Sequence, residues 1–264
     1  MTQVAQIQNS QLLAGKHALV TGGSRGIGAV ISRFLLAHGA RVSVLGRGSS
    51  PSDSQAMTSP NNRLELSADV TDPEAVTRAF EQGRARFGPI EILVNNAGQA
   101  ASAPFLKTDP SLWRRMMAVN LDGTFHCAQA ALPDMLAAGW GRIVNIASTA
   151  GLTGYGYISA YCASKHGVVG LTRALALEVA TKGITVNAVC PGYTDTDIVK
   201  DTVANIVAKT GRTPDQALAE ITSRNPQKRL IKPEEVANAV AWLCLPGTEA
   251  ITGQAIAISG GEVM

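Results

Sequence analysis

Short apolar runs alternate with longer amphipathic runs from residue 16 almost to the end of the chain. The short runs predict buried strands, and the longer runs, in which apolar residues recur at helical spacing, predict helices. The predicted strands are residues 17–21, 41–45, 63–67, 91–95, 142–147, 184–190 and 255–259. The predicted helices are residues 26–38, 73–87, 110–136, 157–181 and 233–245. This alternation indicates an α/β fold with a doubly wound, seven-stranded parallel sheet.

Two segments interrupt the alternation. Residues 48–62 are rich in Ser and Pro, a composition that favours a loop with room for one short helical turn. Residues 194–230 separate the sixth strand from the last helix and contain helical patches at residues 198–209 and 215–224. We interpret this second segment, called the predicted lid below, as a mobile cover over a site.

The pattern divides the chain into an N-terminal extension, residues 1–14, and a single Rossmann-type domain, residues 15–264. With 45% hydrophobic and 16% charged residues, the composition is that of a folded globular protein. A dispersed net charge of +3 does not predict a nucleic-acid surface. No apolar stretch approaches the roughly 18 residues of a membrane helix, and the Gln-rich N-terminus does not resemble a signal peptide. We therefore expect a cytoplasmic protein with neither nucleic-acid nor membrane partners.

The four cysteines are widely separated and form no C-x-x-C pair. This spacing predicts buried free thiols, with neither a disulfide framework nor a metal site.

The turn from the first strand into the first helix is rich in glycine and reads TGGSRGIG over residues 21–28. In such a turn the missing side chains let a pyrophosphate approach the backbone, and the helix N-terminus offers unpaired N–H groups. Similar turns also occur in proteins without a ligand, so the motif does not decide by itself. The loop residues assigned to cofactor binding are Gly22, Ser24, Arg25, Gly26, Ile27 and Gly28.

The region after the second strand indicates which nicotinamide cofactor is used. A carboxylate there binds the adenosine ribose and repels a 2′-phosphate, but none is present before Asp53. Arg25 and Arg47 are instead placed to bind that phosphate, so NADP(H) is favoured over NAD(H); the alternative is that both are solvated surface charges. Asp69, beside Val70, is a candidate to accept a hydrogen bond from the adenine amino group, the alternative being an Asx turn.

Tyr161 and Lys165 are four residues apart in a predicted helix, so their side chains project from one face. A phenol has a pKa of about 10, and a nearby ammonium lowers that pKa towards the working range of a proton donor and acceptor. Ser148 ends the fifth strand, where open α/β sheets bind their ligands, and its hydroxyl is suited to holding a substrate oxygen. A Tyr-x-x-x-Lys pair alone is also compatible with an ordinary surface helix.

These features occur in a characteristic order: the glycine loop, NNAG at residues 95–98, Asn120 in the long helix, and Ser148 thirteen positions before Tyr161. In this combination the chain resembles the short-chain dehydrogenase/reductase family over residues 15–262. The resemblance implies that Tyr161 is the general acid/base and that Ser148 orients the substrate carbonyl. It also implies that Lys165 binds the nicotinamide ribose and lowers the tyrosine pKa, and that Asn120 holds a proton-relay water.

The same resemblance assigns further cofactor contacts, to Asn96, Ala97, Gly98, Pro191, Gly192, Thr194 and Thr196. Thr194 stands where the family usually has an aliphatic residue, a change that is tolerable if that position contributes its backbone N–H. The predicted substrate pocket consists of Gln99, Ser148, Leu152, Tyr155 and Tyr193. His166 projects from another helix face and is expected to be structural or at an interface. A homotetramer built through the long helices and the C-terminal strand is also implied.

Residues 141–148, 164–170 and 183–192 resemble those of 3-oxoacyl-thioester and polyketide ketoreductases. The expected reaction is NADPH-dependent reduction of a ketone, above all of a 3-oxoacyl thioester, to the alcohol. No basic residue occurs in residues 132–140, which disfavours a carrier-protein docking patch and favours a coenzyme A thioester or a small ketone. Two alternatives stay open: an alcohol or dihydrodiol dehydrogenase acting on a cyclic substrate, and a non-catalytic cofactor sensor or scaffold.

Overall fold

The computed structural model describes residues 11–48 and 60–264, and within them the chain forms one parallel sheet flanked by helices. The strand order is β3-β2-β1-β4-β5-β6-β7. The strands are β1 (His17–Thr21), β2 (Arg41–Gly46), β3 (Arg63–Ser67), β4 (Ile92–Asn95), β5 (Gly141–Ile146), β6 (Ile184–Pro191) and β7 (Ala255–Ile258). All seven predicted strands are therefore confirmed, each with ends within one residue of the prediction.

Eight α-helices connect or extend these strands in the described part of the chain. They are α1 (Gly26–Ala37), α2 (Pro73–Phe87), α3 (Pro110–Met117), α4 (Gly123–Ala138), α5 (Ser159–Val179), α6 (Asp197–Thr210), α7 (Pro214–Thr222) and α8 (Pro233–Cys244). None of the helices described here is both long and apolar enough to cross a membrane.

Two hydrophobic cores lie on opposite faces of the sheet because successive strand residues point to opposite sides. Ala18 and Val20 of β1 belong to the core covered by α1 and α8, whereas Leu19 belongs to the core covered by α2, α4 and α5. Every residue of β1, β5 and β6 is buried. Burial on both faces explains why these strands are mostly apolar and show no regular alternation of apolar and polar residues.

The order in which strands are added to the sheet reverses at β1, which pairs with β2 on one side and with β4 on the other. The chain continues from β1 to β2 on one side of β1 and returns from β3 to β4 on the other side. A crevice therefore opens at the carboxyl ends of β1 and β4. The glycine loop after β1 and the NNAG segment after β4 both lie at this crevice.

The predicted helix over residues 110–136 is wrong in one respect: it is not continuous. A five-residue π-helical segment, Ala118–Asp122, separates α3 from α4. A π-helical turn holds one residue more than an α-helical turn, which the spacing of apolar residues in the sequence does not reveal. Such segments are frequent at functional sites.

The predicted helix over residues 157–181 begins two residues later, at Ser159. Tyr157 adopts a left-handed conformation with φ of 67°, and its carbonyl accepts a hydrogen bond from the Ala103 N–H at 2.8 Å. A left-handed residue cannot continue an α-helix, so the helix starts beyond it.

The predicted lid contains α6 and α7, close to the two predicted helical patches. Of the predicted loop over residues 48–62, residues 49–59 lie outside the described part of the chain, and Pro60–Asn62 forms one short 3-10 turn.

Candidate active site

Tyr161 and Ser148 meet at the carboxyl end of β5. Ser148 caps the short turn after that strand, where its hydroxyl accepts a hydrogen bond from the Ala150 N–H at 3.1 Å. Tyr161 lies in the first turn of α5 and is half buried. Burial raises the pKa of Tyr161, and the hydrogen bond with Ser148 opposes that rise without cancelling it. The phenol therefore favours its protonated form, as a proton donor requires.

Lys165 lies one turn further along α5 and is 5% exposed. Its Nζ donates a hydrogen bond to the Ile146 carbonyl at 2.8 Å and lies 5.8 Å from the centre of the Tyr161 ring. Burial lowers the pKa of Lys165 to about 8. Burial is the largest influence on the pKa of Tyr161 and raises it. The expected lowering of that pKa by Lys165 stays a prediction.

Asn120 lies in the π-helical segment and is fully buried. Its Oδ1 accepts from the Gln99 N–H at 2.9 Å, while its Nδ2 donates to the Gln99 carbonyl and to Ser164 Oγ, each at 3.0 Å. Ser164 Oγ in turn donates to the Tyr161 carbonyl at 2.8 Å. Asn120 therefore ties the predicted pocket residue Gln99 to the backbone of the catalytic helix.

Ser164 is a positioning residue that was not predicted from the sequence. Its position three residues after Tyr161 and next to Lys165 was visible in the sequence, but nothing there showed that Asn120 would reach it.

The glycine loop fits a pyrophosphate. Gly22 and Gly26 have φ of 63° and 54°, a region that disfavours other residues. A Cβ on Gly28 would stand 2.4 Å from the Gly22 carbonyl oxygen, so the turn cannot close around a larger residue. Unlike α2 and α3, which are capped by the side chains of Asp72 and Asp109, α1 has no side-chain cap. Its first N–H groups remain available to an anion.

The NNAG segment is hydrogen-bonded to the start of the glycine loop. Asn96 Nδ2 donates to the carbonyls of Thr21 and Gly22 at 3.0 and 3.1 Å. The N–H groups of Asn96 and Ala97 both donate to Thr21 Oγ1. Asn96 therefore has a structural role, and its predicted contact with the cofactor stays a prediction. Gly98 lies beside Asn120, since a Cβ on Gly98 would stand 3.1 Å from Asn120 Oδ1.

Arg25 and Arg47 are both exposed near the end of β2, and neither has an ion pair with another described residue. A small cavity of about 70 Å³ lies at the ends of β2 and β3, lined in part by Ser24, Gly46 and Glu65. The Glu65 carboxylate is paired with Arg63 at 3.1 Å. Two exposed guanidinium groups without such ion pairs are suited in chemistry to binding a phosphate.

Asp69 forms the Asx turn that was its alternative assignment. Its Oδ1 accepts from the N–H and the hydroxyl of Thr71 at 2.9 and 2.8 Å. Val70 beside it is buried, and its carbonyl contacts His126 Nδ1 at 3.0 Å. The predicted adenine contacts of Asp69 and Val70 stay predictions, now limited to the atoms that these bonds leave available.

The segment after β6 reaches the glycine loop. Thr194 is buried and its hydroxyl donates to the Gly192 carbonyl at 3.0 Å, which orders the turn after Pro191. A Cβ on Gly26 would stand 3.7 Å from Thr196 Cγ2. Two predicted cofactor segments, separated by most of the chain, are thereby brought into contact.

The remaining predicted pocket residues lie in the segment before α5 and in the turn after β6. Leu152 packs against the small core that includes Ala147 and Val168. Tyr155 Oη donates to the Glu262 carboxylate at 2.8 Å, and burial is the main cause that raises the pKa of both Tyr155 and Tyr193. Glu262 was not among the predicted site residues because no motif connects the end of the chain with this pocket.

A family model described as short chain dehydrogenase matches residues 16–206 of the chain. The chain belongs to the short-chain dehydrogenase family. It is accordingly an oxidoreductase acting on hydroxyl or keto groups, as predicted.

Individual relatives cover nearly the whole of this short-chain dehydrogenase. It is 40% identical over 252 residues to a putative ketoacyl reductase of Streptomyces coelicolor, covering 92% of this chain and 95% of the relative. It is 38% identical over 252 residues to D-beta-hydroxybutyrate dehydrogenase of Rhizobium meliloti, covering 93% and 98%. A solved structure, a single-substitution variant of actinorhodin polyketide ketoreductase with NADPH, matches with a TM-score of 0.87 and 37% identity over 96% of this chain and 98% of that one. The predicted doubly wound fold is thus confirmed.

Proposed function

We propose that this short-chain dehydrogenase is an NADPH-dependent ketoreductase that converts a 3-oxoacyl thioester to the 3-hydroxyacyl thioester. The observation that carries the proposal is the Tyr161 phenol, kept protonated by burial and placed against Ser148 beside a phosphate-binding loop. The relatives named as ketoacyl and polyketide reductases support the substrate class.

In the proposed reaction, the hydroxyls of Ser148 and Tyr161 hold the substrate oxygen by hydrogen bonds. NADPH, when bound, supplies the hydride that adds to the carbonyl carbon. Tyr161 gives its proton to the oxygen as negative charge develops there, which completes the alcohol. Lys165 stabilises the resulting phenolate by its charge, while Asn120 keeps the catalytic helix and Gln99 in register.

NADP(H) is the proposed cofactor because Arg47 follows β2, Arg25 lies in the glycine loop, and the described residues 41–48 contain no carboxylate. The glycine loop would hold the pyrophosphate, and Arg25 and Arg47 would hold the 2′-phosphate. The structurally similar polyketide ketoreductase was solved with NADPH, which supports this choice of cofactor.

The decisive experiment measures initial rates of acetoacetyl-CoA reduction with NADPH and with NADH. For Tyr161→Phe we expect kcat to fall by about a hundredfold or more, since positioned general acids contribute on the order of 10² to 10⁴. Tyr157→Phe is the matched control, because Tyr157 is 72% exposed and carries the same change four residues before Tyr161.

Each part of the proposal has a result that contradicts it. Undiminished activity of Tyr161→Phe would overturn the mechanism, and a preference for NADH would overturn the roles of Arg25 and Arg47. If cyclic alcohols were oxidised while acetoacetyl-CoA was not reduced, the alternative of an alcohol or dihydrodiol dehydrogenase would replace the thioester.

A further inference from the structure

The end of the chain brings a carboxylate to the wall of the substrate pocket. Glu262 Oε1 accepts the hydrogen bond from Tyr155 Oη at 2.8 Å. Its other oxygen, Oε2, would lie 3.0 Å from a Cβ placed on Gly192. Glu262 therefore occupies the space between the loop before α5 and the turn after β6, the two segments that carry Tyr155 and Tyr193.

The backbone around Glu262 is fixed by packing. Gly260 and Gly261 precede it with φ of 62° and 91°. A Cβ on Gly260 would stand 2.3 Å from Oδ1 of Asn225, a buried side chain at the end of the predicted lid. The Glu262 N–H donates to the Ser259 carbonyl at 3.3 Å. The carboxylate is consequently held in place by a tight turn against the lid segment.

Glu262 is less exposed than Arg224, the cation that lies against the same tyrosine. The Arg224 guanidinium lies 5.3 Å from the centre of the Tyr155 ring, but Arg224 is exposed, where water and salt screen its charge. After burial, Glu262 has the largest effect on the pKa of Tyr193 and raises it, Arg224 lowers it less, and Glu220 raises it further. Tyr193 is in turn close enough to Tyr161 to contribute to its raised pKa.

We propose that Glu262 is a specificity-determining residue that selects neutral esters and thioesters over substrates bearing a free carboxylate near the reacting carbonyl. The proposal rests on the ketoreductase function and narrows its substrate class. A carboxylate entering this pocket meets a like charge that is partly shielded from water and has no buried cation as partner among the described residues. A neutral acyl group meets no such repulsion, and a substrate N–H or O–H finds an acceptor.

The proposal predicts a difference from a relative of similar sequence. The Rhizobium meliloti protein is named for D-beta-hydroxybutyrate, a carboxylate-bearing substrate. This chain is expected to discriminate against such an acid in favour of its ester.

The test compares acid and ester forms of the same compound. We would measure kcat/KM for acetoacetate and methyl acetoacetate, and for 4-hydroxycyclohexanecarboxylate and its methyl ester. Glu262→Gln removes the charge and keeps an acceptor for Tyr155, whereas Glu81→Gln removes one charge at an exposed position on α2. We expect Glu262→Gln to reduce the ester-to-acid ratio by about tenfold, as expected for loss of one nearby like charge, and Glu81→Gln to leave it unchanged.

The outcomes separate this inference from the proposed function. An unchanged ratio in Glu262→Gln would overturn the inference even if ketone reduction is confirmed. Turnover of only the cyclic pair, with no reduction of acetoacetyl-CoA, would overturn the 3-oxoacyl assignment, and the ratio for that pair would still support or overturn the role of Glu262. Wild-type preference for either acid over its ester would overturn the inference directly. Turnover of neither pair would overturn the inference, whereas the proposed function is decided by reduction of acetoacetyl-CoA.

Tyr155→Phe provides a second variant with a different readout. It removes the phenol hydroxyl and leaves the Glu262 carboxylate without that donor. Because the negative charge is then less compensated, the ester-to-acid ratio should be maintained or increase. A decrease like that of Glu262→Gln would show that the hydrogen-bonded pair, and not the charge, sets the preference.

Discussion

At the scale of single residues, burial has the largest effect on the proton affinity of Tyr161 and Lys165, the proposed catalytic pair. It raises the pKa of Tyr161 and lowers the pKa of Lys165 to about 8, since removing either charge from water is unfavourable. Both shifts favour the neutral forms. A protonated phenol suits the reduction direction, in which Tyr161 has to give up a proton.

The lowered pKa of Lys165 predicts how stability depends on pH. Between the folded value of about 8 and the unfolded value of about 10.4, the unfolded chain binds more protons, so the free energy of unfolding rises with pH. Lys165→Met removes this group. We expect the wild-type protein to gain about 2 kcal/mol relative to Lys165→Met across that window.

Urea denaturation of both proteins at about pH 8 and about pH 10 measures this difference. Lys200→Met is the control, because Lys200 is an exposed lysine on α6. A difference between wild type and Lys165→Met that is independent of pH would show that Lys165 keeps an ordinary pKa in the folded protein.

At the scale of elements, the open N-terminus of α1 and the interrupted helix around Asn120 shape the site. The glycine loop leaves the first turn of α1 without a side-chain cap, while the π-helical segment turns Asn120 towards Gln99 and Ser164. Both features depart from regular helix geometry at the places where chemistry is expected. The role of residues 194–230 as a lid stays a prediction at this scale.

Substituting Gly28 tests the close packing of the glycine loop. Its Cβ would stand 2.4 Å from the Gly22 carbonyl oxygen and 2.5 Å from Asn96 Nδ2. Gly28→Ala should destabilise the protein by about 1–3 kcal/mol, as overpacking does, and should weaken NADPH binding. Thermal unfolding and fluorescence titration with NADPH measure the two effects.

Gly170→Ala is the matched control, since Gly170 is also helical and a Cβ there meets nothing within 4 Å. It should raise stability by about 0.5–1 kcal/mol because alanine is the better helix former. Equal effects of the two substitutions would contradict the steric argument for Gly28.

At the scale of the whole molecule, the parallel sheet gathers residues from distant parts of the sequence at one edge. Tyr155 and Glu262 are 107 positions apart and share a hydrogen bond. The surface also exposes large apolar side chains on α3, α4 and α5, including Trp113, Phe125, Leu136 and Leu177. Such side chains are common at interfaces, which supports the predicted homotetramer.

Light scattering tests the assembly. We expect a mass four times the 27.5 kDa of one chain. Leu177→Asp, at a leucine that is 82% exposed on α5, should lower that mass by introducing a charge into the interface. Leu106→Asp makes the same change at a leucine outside the long helices and should leave it intact. A wild-type mass of one chain would refute the tetramer.

Much of this protein was determined by the sequence itself. The strands, most helix ends and the glycine loop follow from local periodicity and from glycine's unique backbone freedom, which depend on neighbouring residues alone. The order of the glycine loop, Asn120, Ser148, Tyr161 and Lys165 identified the family, and the family model confirmed it. These features were predictable because each is contained within a short stretch of chain.

Only the tertiary structure decided the features that depend on contacts between distant segments. The π-helical turn at Asn120 is linked to hydrogen bonds with Gln99 and Ser164, and Asn96 is occupied beneath the glycine loop. The direction of the Tyr161 pKa shift depends on how much water the fold removes, which no four-residue spacing can show. The Glu262 carboxylate reaches the pocket because β7 lies beside β6, and that neighbourhood exists only once the sheet has formed.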